Sequence, residues 1–318
     1  MRTKTIEHRA RLTAAPTEHR MTRTLRSQRR SETRAAYLFL LPTLLGFLLF
    51  VAGPLIAALA LSFTKYDVVT APVGVGLGNY REIAKDNHVL VSFRNTIIFV
   101  LIATALQVTI ALLLAVGVQR KMPSYLRYFF RTAFFFPVIT SAASISIVFV
   151  YMFNKEFGVI NYYLGKLGFA DVPWLVSTRW SLFSICLAYV WQHLGFTFIL
   201  FSAGLQNISR EIYEAADIDG VNGTTKFFRI TLPLLSPTIL FTTVIGMINA
   251  LQVFDQATIM TRGGPGDSSR TAVMAIYEAA FQDLRFGYGS AIAVLLFAVV
   301  LGFTLLQFAL SKRFVFYK

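Results

Sequence analysis

Long runs of apolar residues that carry no Asp, Glu, Lys or Arg alternate along this chain with shorter segments that hold the charge. A helix needs about 20 apolar residues to cross roughly 30 Å of hydrocarbon. Six runs approach or exceed that length, at approximately 35–62, 95–118, 132–153, 181–202, 236–253 and 290–310. Each is continuously apolar, whereas barrel strands alternate over about 10 residues, so the pattern predicts six membrane helices. Pro42, Gly46, Gly53 and Pro54 are expected to kink or thin the first. Pro233 and Pro237 blur the start of the fifth. The expected fold is all-α and polytopic, with a basic arm at 1–34, a six-helix domain at 35–311 and a tail at 312–318.

Composition and charge sharpen this picture. Of 318 residues, 55% are hydrophobic and 14% charged, against about 25% charged in soluble domains. Cys186 is the only cysteine, so no disulfide forms within the chain. Lys and Arg number 20 in segments 1–34, 119–131, 203–235 and the tail, and 10 in segments 63–94, 154–180 and 254–289. The positive-inside rule therefore places the first set, and both termini, in the cytoplasm. Retention by that effect accounts for the net charge of +14 without a nucleic-acid partner, and the basic run at 23–30 also has the sign to meet acidic lipid headgroups. Ala58-Leu59-Ala60 looks like a cleavage site. The run before it exceeds the roughly 7–15 residues of a leader core, so the first helix is read as a retained signal anchor.

Most enzyme chemistry is excluded by inspection. His8, His19, His88 and His193 have no metal-ligand spacing, and none lies near Cys186 in sequence. No phosphate-loop motif is present, and the Gly-rich stretch Thr261-Arg262-Gly263-Gly264-Pro265-Gly266 lacks its lysine and its strand-to-helix setting, so it reads as a turn.

The informative segment is the inner loop 209–233 between the fourth and fifth spans. Ser209 is a candidate N-cap, and the residues after it predict a short helix ending at Gly220, where a left-handed position suits glycine. Ile212, Ala215 and Ala216 fall on one face, with Arg210, Glu214 and Asp217 on another. A membrane-surface helix is usually basic on its polar face, and this one is acidic. Two alanines allow close approach to another protein, and the charges set register.

Glu214-Ala215-Ala216, Gly220, then Ile230 and Leu232-Pro233 resemble the EAA loop of binding-protein-dependent ABC importer permeases, position by position from 214 to 233. The resemblance implies a cytoplasmic coupling helix that docks on an ATPase subunit, with Glu214 at the contact, Gly220 at the turn and Asp219 preceding it. Glu278-Ala279-Ala280 is a decoy, because Leu284 stands where the glycine belongs. Leu61-Ser62-Phe63-Thr64 with Gly76-Leu77-Gly78-Asn79-Tyr80 is similar to sugar permeases of the maltose and glycerol-phosphate branch. So are Phe254-Asp255-Gln256, Thr261-Arg262-Gly263-Gly264-Pro265, and Phe286-Gly287-Tyr288-Gly289-Ser290-Ala291. Arg262 departs from the neutral residue common there. The family implies a bacterial inner-membrane location, a second permease subunit, an ATPase homodimer and an extracytoplasmic solute-binding protein facing Thr261, Gly263, Gly264 and Pro265. It also implies that ATP and Mg are used by the ATPase and that this chain binds no cofactor.

Polar residues within spans are costly in lipid and are expected to face the interior or a solute path. The pathway candidates are Gln107, Gln192, His193, Asn249, Gln252, Asp255 and Gln256, with Tyr189 and Trp191 as aromatic platforms for a sugar. Two readings stand for Gln107 and for His193, a bond within the bundle or a solute contact. Asn249 and Gln252, at i and i+3, form the favoured pair. No span holds a Lys or Arg, which tilts the solute towards a neutral sugar rather than a glycerol phosphate. A gradient-driven transporter is the rival class, and it needs an intramembrane charge that the spans lack.

Overall fold

The computed structural model describes residues 18–119 and 122–315. The first half of the basic arm (1–17), Arg120 and Lys121 of the 119–131 segment, and the last three tail residues lie outside the described residues. The chain divides into two units, Met1–Ala57 and Ala58–Lys318. In the first, helix α1 (Glu18–Phe47) is followed by a π-helical turn at Leu48–Ala52 and by the start of α2 (Gly53–Leu61). Pro54 has no N–H to donate, and the backbone widens just ahead of it, with the Gly53 N–H bonded to the Leu48 carbonyl.

The second unit opens with a hairpin, β1 (Thr64–Lys65) antiparallel to β2 (Val73–Gly74), paired Thr64 to Gly74 and Lys65 to Val73. Helices α3 (Gly78–Ile83), α4 (Asn87–Gln119), α5 (Ser124–Ile139), α6 (Ala142–Met152), α7 (Val159–Lys166) and α8 (Ser181–Gln206) follow. Then come α9 (Arg210–Ile218), α10 (Gly223–Lys226), α11 (Leu232–Leu251), α12 (Asp255–Thr261), α13 (Ala272–Tyr277) and α14 (Phe286–Phe314). Five helical stretches among the described residues are long and apolar enough to span a membrane: Ala35–Leu61, Asn87–Val118, Ser181–Gln206, Gly223–Leu251 and Phe286–Arg313. The pair α5 and α6 makes a sixth if taken as one span.

Three expectations are corrected. The third span is not one straight helix over 132–153, because α5 and α6 meet at a 104° bend. Thr140 and Ser141 are extended there, with ψ of 144° and 135°, and apolar composition alone does not distinguish a straight run from a broken one. The second span begins at Asn87 rather than 95, since Asp86 Oδ1 accepts the His88 and Val89 N–H groups at 3.0 and 3.4 Å and starts the helix in polar sequence. The fifth is helical from Gly223, ahead of its prolines. A π-helical turn at Phe227–Thr231 leads into Pro233, which has no N–H to continue the ladder, so the backbone widens just ahead of it as it does ahead of Pro54.

At the centre of this unit α4 packs along α8, with α5 against α8 and α11 against α4. Phe99, Val100, Ile185, Cys186, Tyr189, Ala250 and Leu251 form the principal buried cluster. Cys186 packs as a small apolar side chain with its Sγ 3.9 Å from the Phe99 carbonyl. The α5–α8 contact depends on Gly195, where an added Cβ would lie 1.9 Å from the Phe134 carbonyl oxygen. Gly195→Ala is therefore expected to cost about 1–3 kcal/mol by overpacking and to lower the Tm measured in detergent. Gly302→Ala, which meets nothing within 4 Å, serves as the neutral control, and equal Tm values for the two variants would contradict the close approach.

Candidate functional site

The 209–233 loop folds into two short helices held at fixed angles. Ser209 accepts the Glu211 N–H at 3.3 Å and caps α9. At the other end Gly220 has φ of +69°, the Gly220 N–H bonds the Asp217 carbonyl, and the Val221 N–H bonds the Ala216 carbonyl. These paired bonds are the Schellman closure that a left-handed glycine permits. Asn222 then caps α10 by accepting the Thr225 N–H at 2.8 Å. A Lys226–Asp217 ion pair and a 3.0 Å bond between the Tyr213 and Thr231 hydroxyls join α9 to the helix leading into α11. Ile212 and Tyr213 pack against a buried cluster drawn from α4, α8 and α11 that includes Val118, Leu205, Ile208 and Leu235.

The face presented outwards differs from the one the spacing indicates. Ala216 is 5% exposed and turned into the chain, so Ala215 and Ala216 do not form a joint outer surface. Glu214, Ala215, Asp217 and Asp219 are exposed, and so is Ile218, at 87%. Sequence reading missed Ile218. An isoleucine one position after Asp217 on an otherwise acidic stub was the available signal. Ile230, Leu232 and Pro233 are half-buried.

Within the bundle the polar candidates separate into two groups. Gln256 Nε2 donates to Gln192 Oε1 at 2.8 Å, and Gln192 Nε2 donates to the Thr140 carbonyl at 3.2 Å, both amides being buried. Gln107 Nε2, also buried, donates to Thr197 Oγ1 at 2.7 Å. The Tyr189 and His193 rings stack at 4.0 Å, and His193 Nδ1 is 2.9 Å from the Tyr189 carbonyl. These residues bond or stack within the bundle, with Gln107 Oε1 and the Tyr189 hydroxyl buried and without a hydrogen-bond partner among the described residues. Trp191, packed edge-on against Phe149, is exposed, as are Asn249, Gln252 and Asp255. Asn249 and Gln252 lie where α11 ends, and Asp255 opens α12.

The segments between the fifth and sixth spans and ahead of the second form a network that sequence reading did not assemble. Thr261, Gly263, Gly264 and Pro265 lie in a turn with Arg262 and Gly263 both left-handed, at φ of 51° and 81°. Thr261 Oγ1 is 2.7 Å from Ser269 Oγ, which donates to the Gly264 carbonyl. Asn95 Nδ2 donates to the Asp267 and Arg270 carbonyls at 2.7 and 3.1 Å, and Thr96 Oγ1 accepts the Ala272 N–H at 2.8 Å. Asp267 meets His88 at 2.6 Å and Arg270 at 2.7 Å, and Arg270 also pairs with Glu278. The decoy triplet is thus built into this network, with Ala279 and Ala280 buried and Leu284 left-handed. The legible signal was Asp267 and Arg270 at i, i+3. Their partners stand some 180 residues away in sequence.

A sequence model of the family described as binding-protein-dependent transport system inner membrane component matches residues 107–315, more than half of the chain. The probable ABC transporter permease protein YesP of Bacillus subtilis (strain 168) is 35% identical over 294 residues, covering 91% of this chain and 94% of YesP. The arabinooligosaccharides transport system permease protein AraP of the same organism is 32% identical over 287 residues, covering 89% and 90%. Among solved structures, a chain of a bacterial alginate ABC transporter in complex with an alginate pentasaccharide-bound periplasmic protein superposes with a TM-score of 0.78. It has 22% identity and covers 90% of this chain and 96% of that one.

The ion network has a measurable pH signature. Burial pushes the Asp267 carboxyl up, but the hydrogen bonds and charges of Arg270 and His88 outweigh it and hold its pKa below the ordinary aspartate value. A depressed carboxylate contributes stability that is complete above the unfolded pKa, about 3.9, and is lost as pH falls through the folded value. Asp267→Asn is therefore expected to lower Tm at pH 6, with the gap to wild type shrinking as the pH approaches 3. A gap that stays constant with pH would contradict the charge pairing.

Proposed function

The chain belongs to the family of binding-protein-dependent transport system inner membrane components, and we propose that it is a path-forming permease subunit of an ABC importer for a carbohydrate. The observation that carries this reading is the 209–233 loop, a rigid two-helix element fastened to the ends of α8 and α11 and exposing Glu214, Ala215, Asp217 and Ile218. Such an element transmits a push or pull on its outer face directly to two membrane helices. In this proposal a cytoplasmic ATPase dimer grips that face, with Ile218 as the apolar anchor and Glu214 setting the charge register. Asp219 and Gly220 make the closing turn, while Ile230, Leu232 and Pro233 carry the motion into α11. ATP and Mg act in the ATPase, and this chain makes or breaks no bond in the solute.

The remaining partners follow from the same architecture. A second permease completes the path, and an extracytoplasmic binding protein delivers the solute near Thr261, Gly263, Gly264 and Pro265. That arrangement puts the 209–233 loop and both termini in the cytoplasm, as the distribution of Lys and Arg supports. Support for a carbohydrate comes from the arabinooligosaccharide relative and from the fold shared with an alginate transporter. Absence of Lys and Arg from the apolar runs favours a neutral sugar. The exposed Trp191, Asn249, Gln252 and Asp255 are the side chains free to meet it, with an aromatic face for C–H groups and amides for hydroxyls. Gln107, Tyr189, Gln192, His193 and Gln256 form the supporting layer, since each already bonds or stacks within the bundle.

Glu214→Lys and Ile218→Asp are each expected to reduce ATP-driven sugar uptake at least about tenfold, a coupling loss of roughly 1.4 kcal/mol or more, with membrane insertion unchanged. The measurement is uptake of radiolabelled oligosaccharides by whole cells, with membrane content checked by immunoblot. Full uptake in both variants would overturn the docking role.

A further inference from the structure

Two short helices of the bundle each begin at a break in the chain. Helix α6 follows the 104° bend at Thr140–Ser141 and has 11 residues. Helix α12 follows the non-helical residues 252–254 and has 7. Neither is long enough to cross hydrocarbon alone, so each is placed by what it packs on. The two pack on each other and on α8, and share one buried cluster that includes Phe149 of α6, Ala257 and Met260 of α12, and Cys186 and Tyr189 of α8.

A single side chain ties both breaks to α8. Gln192 Nε2 donates to the Thr140 carbonyl at 3.2 Å, and Gln192 Oε1 accepts from Gln256 Nε2 at 2.8 Å. The polarity is forced, because a backbone carbonyl only accepts and the amide nitrogen must face it. The amide oxygen is left for α12, where Gln256 supplies the donor. Gln192 and Gln256 are 6% and 4% exposed, and bonds so buried are costly to leave unmade.

Helix α11 runs from the 209–233 loop straight into the second break. It packs on α4 and α8, and towards α14 it faces an apolar groove of about 500 Å³. Displacement of α11 reaches α12 only across residues 252–254, which belong to neither helix. A joint of that kind passes movement on when the pieces beyond it are held together. We propose that Gln192 is a positioning residue for transport. Its amide locks α6 and α12 into one piece, so that movement of α11 is carried through α12 to the third span. This inference rests on the importer reading given above.

The test uses the whole complex in proteoliposomes, with ATP inside, the binding protein outside and radiolabelled oligosaccharides as the probe. The readout is solute taken up per ATP hydrolysed. Gln192→Leu is expected to lower that ratio at least about tenfold at both pH 6 and pH 8.5. A merely structural role would lower uptake and hydrolysis together and leave the ratio unchanged. Gln192→Glu discriminates further. A protonated carboxyl donates its O–H to the Thr140 carbonyl and accepts from Gln256 through its other oxygen, whereas a carboxylate only accepts. This variant is expected to keep the wild-type ratio at pH 6 and to lose it as the pH rises and the carboxyl ionises. The neighbouring ionisable groups are His193 beside Gln192, Asp255 beside Gln256, and Tyr189, Tyr151 and Arg131 along the packed helices. All are unchanged in the wild type, whose own pH profile is the reference. An unchanged ratio in Gln192→Leu, or a Gln192→Glu variant as impaired as Gln192→Leu at both pH values, would overturn the proposal. If Gln192→Leu does not assemble, Gln256→Met carries the test, since it removes the α12 bond and keeps the Thr140 bond. Its ratio is expected to fall in the same way, and an unchanged ratio counts equally against the proposal. Wild-type uptake driven by an ion gradient instead of ATP would overturn the importer reading itself, and the proposal with it.

Discussion

The arrangement of this chain depends on one constraint, that a backbone polar group in hydrocarbon has no water to fall back on. At two breaks among the described residues, a carbonyl freed from its helix is met by a side chain from elsewhere in the chain. At Thr140–Ser141, where the third span bends by 104°, the Thr140 carbonyl accepts from Gln192 on α8. At Gln252–Phe254, where α11 gives way to α12, the Val253 carbonyl accepts from Thr271. The two breaks are linked, because Gln256 on α12 donates to the same Gln192. One buried amide on α8 thus joins both interruptions, and its donor and acceptor sides are already committed.

The same accounting explains the segments outside the spans. Asn79 donates to the Ser62 and Thr64 carbonyls at 2.8 and 2.9 Å, and Tyr80 donates to Ser62 Oγ at 2.7 Å. Gly287 approaches the same strand so closely that an added Cβ would lie 2.0 Å from the Thr64 carbonyl oxygen. Two stretches more than 200 residues apart, around Asn79 and Gly287, therefore converge on β1, and a bidentate contact of Arg285 with Glu82 holds them from the side. Asn95, Thr96 and Asp267 do the equivalent work for the 261–271 turn. The segments ahead of the second span and between the fifth and sixth are pinned by amides and carboxylates, while the 209–233 loop is stiffened by its caps and the Lys226–Asp217 ion pair. Motion applied at one end meets rigid pieces joined at a few polar contacts.

That division would suit the proposed coupling, in which a push on the 209–233 loop moves helices as rigid bodies. Helices α4 and α8 share a packed apolar seam, where discrete repacking costs more than sliding of a rigid body. The groove between α11 and α14 is the contrasting element, a seam that protein atoms leave open. Coupling from the loop into α11 would be felt first along that edge.

By itself the sequence determined the class of the molecule and its most exposed device. Apolar runs of spanning length, the bias of Lys and Arg, and the Ser209-to-Gly220 spacing each reflect local physics: transfer to lipid, headgroup charge, and the backbone preference of an N-cap or a left-handed glycine. Tertiary structure decided what local pattern does not encode. The third run is broken where Gln192 on α8 meets the Thr140 carbonyl, and no periodicity within 132–153 carries that information. Ala216 is buried and Ile218 exposed because α9 packs its Ile212 and Tyr213 side against the cluster between α4, α8 and α11 at one particular rotation. Asp267 found His88, and Gln256 found Gln192, across long sequence separations. Spacing along a chain cannot show such meetings, since each is set by how helices far apart in sequence pack together.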